Sequence, residues 1–101
     1  MTSRLVVSTL AEADIDNLFE YLEREAGSAQ ANGYAGRIAK ALERPIEFPR
    51  SGSPRPSLGV SVRIELVLPY LLVYEYDAAA DTIVLLRVLH GSRNITQRLM
   101  R

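Results

Sequence analysis

One histidine stands in the 101-residue chain, His90, inside the run Arg87-Val-Leu-His90-Gly-Ser-Arg93. A histidine can trade protons near neutral pH, and arginines converging on it can hold a phosphate and its developing charge. His90 with Arg63, Arg87 and Arg93 is therefore the candidate set for acid–base chemistry at a phosphate. Strand parity works against it. Arg87 and His90 are three apart, and an extended chain turns alternate side chains to opposite faces unless a bulge intervenes. The other familiar chemistries lack their residues. Cysteine is absent, which excludes thiolate nucleophiles, disulfides and thiolate zinc sites. Glu12, Asp16, Glu20 and Glu23 follow helical spacing and read as a solvated face rather than metal ligands. Ser8, Ser28 and Ser92 lack the flanks of a nucleophile elbow, and Gly33-x-x-Gly36 lies within a helical pattern instead of after a strand. Neither a metal nor a cofactor is expected.

The elements that must position these residues follow from periodicity. Arg4 to Ser8 reads as a short strand. Thr9 and Glu12 fit a capping box, and Ala11, Ile15, Leu18, Phe19 and Leu22 make one helical stripe that Gly27 should end. A second helix, capped by Ser28, carries Tyr34, Ile38 and Leu42. Its Gly33 and Gly36 mark either a close approach to the first helix or a weak helix, and Pro45 should stop or kink it near Arg44. Phe48 to Ser61, rich in proline, glycine and serine, is expected to be a connecting loop. Three strands follow, Ser61 to Val67, Leu71 to Asp77 and Thr82 to His90, spaced as antiparallel hairpins with Pro69 in the first turn. The expected fold is α+β, β-α-α-β-β-β, with a helical hairpin packed on one face of a small, mainly antiparallel sheet and one domain over residues 1–101.

Composition adds two constraints. Hydrophobic residues make up 48% and charged residues 24%, with a net charge of zero, as in an ordinary globular domain. Residues 1–47 hold eight acids and five bases, whereas residues 48–101 hold four acids and seven bases. That split suits two protein surfaces better than one nucleic-acid surface, which needs a large positive excess. The apolar runs are too short to span a bilayer and no secretory leader is evident, so a cytoplasmic protein without a membrane partner is expected. The last strand is apolar on both faces: Val84, Leu86 and Val88 are expected to face the helices, with Ile83, Leu85 and Leu89 opposite. Two helices cover one face. The other should meet a partner chain, a second copy, or the tail carrying Ile95, Leu99 and Met100, and a partner is favoured.

These features come together in a known pattern. Ala13-Asp14-Ile15 with Leu18 and Tyr21, Tyr34 with Ile38, Phe48-Pro49, Gly52, Arg55-Pro56-x-Leu58-Gly59, Val62-Arg63 and Tyr70-Leu-Leu-Val-Tyr74 precede a closing Arg87-Val-Leu-His-Gly-x-Arg93. Their order and spacing resemble the RelE/ParE superfamily, toxins of type II toxin–antitoxin systems, and more closely its ParE branch. Arg93-Asn94 stands where many members have Arg-Asp. The resemblance implies a growth-inhibiting toxin neutralised by a cognate, ParD-like antitoxin that wraps it with an amphipathic segment. ParE-type members poison DNA gyrase, and RelE-type members cleave mRNA on the ribosome. Neutral charge and a single lysine favour inhibition of gyrase by binding over catalysis. On that reading Arg93, Arg98 and Arg101 engage the target, Ile83, Leu85, Arg87 and Leu89 meet the antitoxin, and DNA is reached only through gyrase or the antitoxin. The alternatives are a ribosome-dependent mRNA endoribonuclease using His90, Arg63 and Arg87, and a non-toxic relative that only binds its antitoxin.

Overall fold

Ser8 both closes the first strand and opens the first helix. In the computed structural model, which describes residues 2–91, β1 (Arg4–Val7) runs directly into α1 (Thr9–Ala26). The Ser8 hydroxyl accepts the Ala11 amide at 3.1 Å and donates to the Leu86 carbonyl at 2.9 Å. The cap expected at Thr9 therefore belongs to its neighbour, whose extended backbone is the one an N-cap requires. Gly27 ends α1 at φ 89°, where a side chain would be strained, and its N–H returns to the Glu23 carbonyl at 3.1 Å. α2 (Ser28–Glu47) starts at the next residue, so Gly27 and not Ser28 is its cap.

Pro45 does not stop α2, which continues to Glu47. Its ring is fully buried. So near the helix end the lost donor is a small penalty against that burial, and the Phe48 amide closes the last turn on the Arg44 carbonyl at 2.7 Å. A Cβ added at Gly33 or Gly36 would meet nothing within 4 Å. The two glycines therefore weaken the helix without bringing it close to α1.

The sheet contains β2 (Ser53–Pro54), β3 (Val62–Val67), β4 (Tyr70–Asp77) and β5 (Thr82–His90), in the order β1-β5-β4-β3-β2. β3, β4 and β5 are antiparallel as expected, and β1 joins β5 in parallel across the helical hairpin. The architecture is α+β, two helices on a mixed five-stranded sheet. β2 lies inside the segment expected to be a loop. Two residues, one of them proline, carry no alternation to reveal a strand; only the pairing of Ser53 with Ile64 and Pro54 with Arg63 makes it one.

The core divides between the two faces of the sheet. Leu18, Leu22, Ile38 and Leu42 of the helices pack on Leu72, Tyr74, Ile83, Leu85 and Val88. A second cluster joins Leu58, Val62, Ile64, Val73 and Leu89, with Leu71 and Leu86 half-buried beside it. The assignment of β5 differs from that expected because β5 is bulged. Tyr74 pairs with Leu85 and Val73 with Arg87, leaving Leu86 as the extra residue. One added residue inverts parity on part of the strand, which brings Ile83 and Leu85 together with Val88 under the helices. Among the described residues no helix is long and apolar enough to cross a membrane.

Candidate functional site

Among the described residues, the end of β5 is an edge that α1, and not a strand, completes. β1 pairs with β5 only as far as Val7 and Leu85. Beyond that point the Asp14 carboxylate takes the place of a neighbouring strand and accepts the Val88 amide at 2.9 Å. The same carboxylate receives Arg87 Nε at 2.7 Å and Arg87 Nη2 at 2.8 Å, a bidentate pair. The two side chains are only 12% and 14% exposed for Arg87 and Asp14. Such a pair combines two charge-assisted hydrogen bonds with fixed geometry. The hydrogen bonds from Asp14 raise the Arg87 pKa above its ordinary value, so the guanidinium stays charged and engaged.

Next to this joint lies an open groove of about 560 Å³ between α1 and the ends of β4 and β5, lined by Asp14, Asn17, Leu18, Tyr21, Pro69, Tyr70, Val88 and His90. Asp14, Asn17, Leu18 and Tyr21 share one helix face by their three- and four-residue spacings. On the other wall His90 sits opposite Tyr70 in register, and their rings meet edge to face at 5.6 Å. Tyr70 in turn meets Tyr34 edge to face at 5.6 Å, and the Arg37 guanidinium lies 4.7 Å from the Tyr34 ring. Burial raises the pKa of the Tyr70 hydroxyl, with smaller contributions from Tyr34 and Tyr21, so it stays protonated at neutral pH. The groove has aromatic walls and a few polar groups, a lining suited to recognition.

Of the candidate ribonuclease set, the structure sets Arg63 apart from His90. Arg63 pairs across β3–β4 with Tyr74, and His90 pairs with Tyr70. The two rows are separated by four positions of β4, roughly 13 Å at the usual strand rise. Arg63 Nη1 instead donates to the carbonyls of Arg50 at 2.9 Å and Gly52 at 2.8 Å, tying down the segment before β2. The Tyr74 hydroxyl ties the same segment, accepting the Gly52 amide and donating to the Pro49 carbonyl, each at 2.9 Å. Gly52 must be glycine there, because a Cβ would lie 2.7 Å from that hydroxyl and 2.9 Å from the Ile64 carbonyl. Among the described residues no group of three or more histidine, cysteine or acidic side chains is placed to hold a metal ion.

The residues expected to face an antitoxin are also relocated. Ile83 and Leu85 are 0% exposed beneath the helices, and Leu89 is 2% exposed in the second cluster under Leu58. Arg87 is held by Asp14. Among the described residues the large apolar side chains left exposed are Val6, Tyr21, Phe48, Val60, Leu66 and Leu68, with Val6 at one edge of the sheet and Leu66 and Leu68 near the other. The second face is thus apolar as expected but partly covered from within, by Leu58. Arg93, Arg98 and Arg101, and the apolar tail residues Ile95, Leu99 and Met100, lie outside the described residues. In the sequence Asp14 and Tyr70 figured only within the motifs Ala13-Asp14-Ile15 and Tyr70-Leu-Leu-Val-Tyr74, and neither they nor Asn17 were marked as site residues. The helical spacing of Asp14, Asn17 and Tyr21 was a usable signal; the strand end they face was not.

The comparisons with known proteins agree with this architecture. Residues 5–95 match the model of the ParE toxin of type II toxin–antitoxin systems, parDE. Toxin ParE1 of Caulobacter vibrioides is 31% identical over 87% of this chain and 88% of its own, and Toxin ParE3 of the same organism is 27% identical over 95% and 94%. Among solved structures, a chain of the chromosomal ParDE system from P. aeruginosa superposes with a TM-score of 0.72 at 20% identity, covering 88% of this chain and 96% of that one. A chain of the toxin–antitoxin complex RelBE2 from Mycobacterium tuberculosis gives 0.62 at 21% identity, covering 89% and 92%. At those identities the structural likeness establishes the fold. With the fold, the closing β5 motif and a family match over nearly the whole length, the chain belongs to the ParE family of type II toxin–antitoxin toxins.

Proposed function

We propose that this ParE-family toxin inhibits growth by binding and poisoning DNA gyrase, and that a cognate ParD-like antitoxin neutralises it. The observation that carries the reading is where the structure holds the arginines of the candidate ribonuclease set: Arg87 is locked to Asp14, and Arg63 is bonded to two carbonyls. His90 stands against Tyr70, four strand positions from the row of Arg63. Inhibition by binding needs no proton-transfer pair, only a surface. Neutral net charge supports the same choice, since docking on ribosomal RNA rewards a positive excess that this chain lacks. Arg93, Arg98 and Arg101 are the proposed target contacts, and DNA is met only through gyrase or the antitoxin. The solved structures of a chromosomal ParDE toxin–antitoxin system and of the toxin–antitoxin complex RelBE2 support the second half of the proposal.

The test is induced expression followed by supercoiling and cleavage-complex assays with purified gyrase. Loss of supercoiling or accumulation of cleaved complex is the expected result. Unaltered gyrase together with specific cuts in mRNA on translating ribosomes would assign the chain to the endoribonuclease instead. Unchanged growth would leave a non-toxic antitoxin-binding relative.

A further inference from the structure

The outer edge of the sheet is incomplete, and its exposed part is both apolar and cationic. β2 covers β3 only at Arg63 and Ile64. From Glu65 to Val67 the strand pairs with β4 on one side and, among the described residues, has no strand on the other. Natural sheets usually protect such an edge with charge, proline or a covering element, because its unpaired amides and carbonyls are a template for another chain. Here the side chains do the opposite. Leu66 is 58% exposed and Leu68 64% exposed, beside a groove of about 420 Å³ whose other wall is α2. The groove is lined by Arg37, Lys40, Ala41, Leu66, Val67 and Leu68, so both of its charged groups are positive. Arg37 is held in place, with Nη2 donating to the Leu68 carbonyl at 3.2 Å and its guanidinium over the Tyr34 ring.

We propose that this groove receives an extended segment of the neutralising partner, which adds as a strand along Glu65–Leu68. Its chemistry is set by the lining. Apolar side chains alternate toward Leu66 and Leu68, and acidic side chains face Arg37 and Lys40. Strand addition draws affinity from main-chain hydrogen bonds and specificity from alternate side chains, which is what an open edge beside a cationic apolar groove offers. Charge complementarity selects an acidic segment over a second copy of this chain, whose own copy of the groove would bring positive charge against positive charge. The inference rests on the proposed antitoxin reading and locates one of its contacts.

The experiment uses the intact chain and the purified product of the short open reading frame adjoining its gene. Complex formation is measured by calorimetry at two salt concentrations, and amide hydrogen exchange is compared with and without the partner. Slowed exchange across Glu65–Leu68 in the complex is expected. The double variant Arg37→Glu, Lys40→Glu should bind about tenfold or more weakly at low salt, with the loss shrinking as salt rises. Leu66→Lys, at a position exposed enough to leave folding intact, should weaken binding as well. If the partner binds but exchange at this edge is unchanged and these variants bind within about twofold of the parent chain, the groove is not its site and the inference is overturned while the antitoxin reading stands. If no complex forms at all, that reading fails and the inference with it. A dimer of the chain alone that Leu66→Lys dissolves would give the groove to a second copy and also overturn the proposal.

Discussion

Asp14 is the residue on which the end of β5 depends. It closes an edge amide and neutralises a nearly buried guanidinium at once, and both partners lose when it is removed. Asp14→Ala leaves the Arg87 charge and the Val88 donor without this acceptor in a largely desolvated joint. The expected cost is about 3 kcal/mol of folding stability, in the range found when one partner of a buried pair is deleted. Urea denaturation of the two proteins checks it. Arg87→Lys should lose less, about 1 kcal/mol, because an ammonium keeps the charge but not the two parallel hydrogen bonds. Equal losses for the two variants would show that the bidentate geometry, and not the charge alone, supplies the stability. Asp14 was legible as an acidic residue near a helix start; its partner was not, because the two are 73 residues apart in the chain.

At the scale of the element, β5 shows why a strand cannot be read by alternation alone. Its limits, Thr82 to His90, are those that apolar and β-branched residues mark in the sequence. Its faces are not, because the extra residue at Leu86 exists only relative to the register of β4. The consequence is measurable. Leu85→Ala opens a cavity beneath the helices and should cost about 3 kcal/mol, as core leucine truncations do. Leu66→Ala, on a strand of similar apolar pattern but with most of its side chain in solvent, should cost well under 1 kcal/mol. Thermal or urea unfolding distinguishes the two, and a small effect at Leu85 would restore the unbulged assignment. The helices repeat the lesson in milder form. Their stripes and the Gly27 break are sequence properties, while the choice of Ser8 over Thr9 as cap was decided by where β1 leaves the chain.

Across the whole molecule, the first and last strands are joined through the turn between β4 and β5. Asp81 accepts hydrogen bonds from the Ser3 hydroxyl at 2.7 Å and the Tyr76 hydroxyl at 2.9 Å, and its carbonyl accepts the Arg4 amide. The Ser3 and Tyr76 bonds hold the Asp81 carboxyl pKa below its ordinary value. A depressed carboxyl pKa stabilises the fold above the unfolded-state value and loses that contribution as pH falls through the folded one. The parent chain should therefore lose stability below about pH 4 more steeply than Asp81→Asn. The asparagine keeps the shape and tolerates the positive φ of 47° there. Chemical denaturation between neutral and acidic pH measures this, and parallel curves for the two proteins would remove Asp81 from the acid response.

By itself the sequence determined the α+β class, the helical hairpin, the three antiparallel strands and the membership of the toxin family, because each rests on local periodicity, local breakers or the order of short motifs along the chain. Tertiary structure alone decided which face of β5 is covered, that β1 joins it in parallel, that a two-residue strand caps part of β3, and that Arg63 lies four strand positions from the row of His90. Each of these depends on register between segments distant in the chain. Register is set when two strands and the helices above them pack together, and a single bulged residue is enough to exchange what is buried for what is presented.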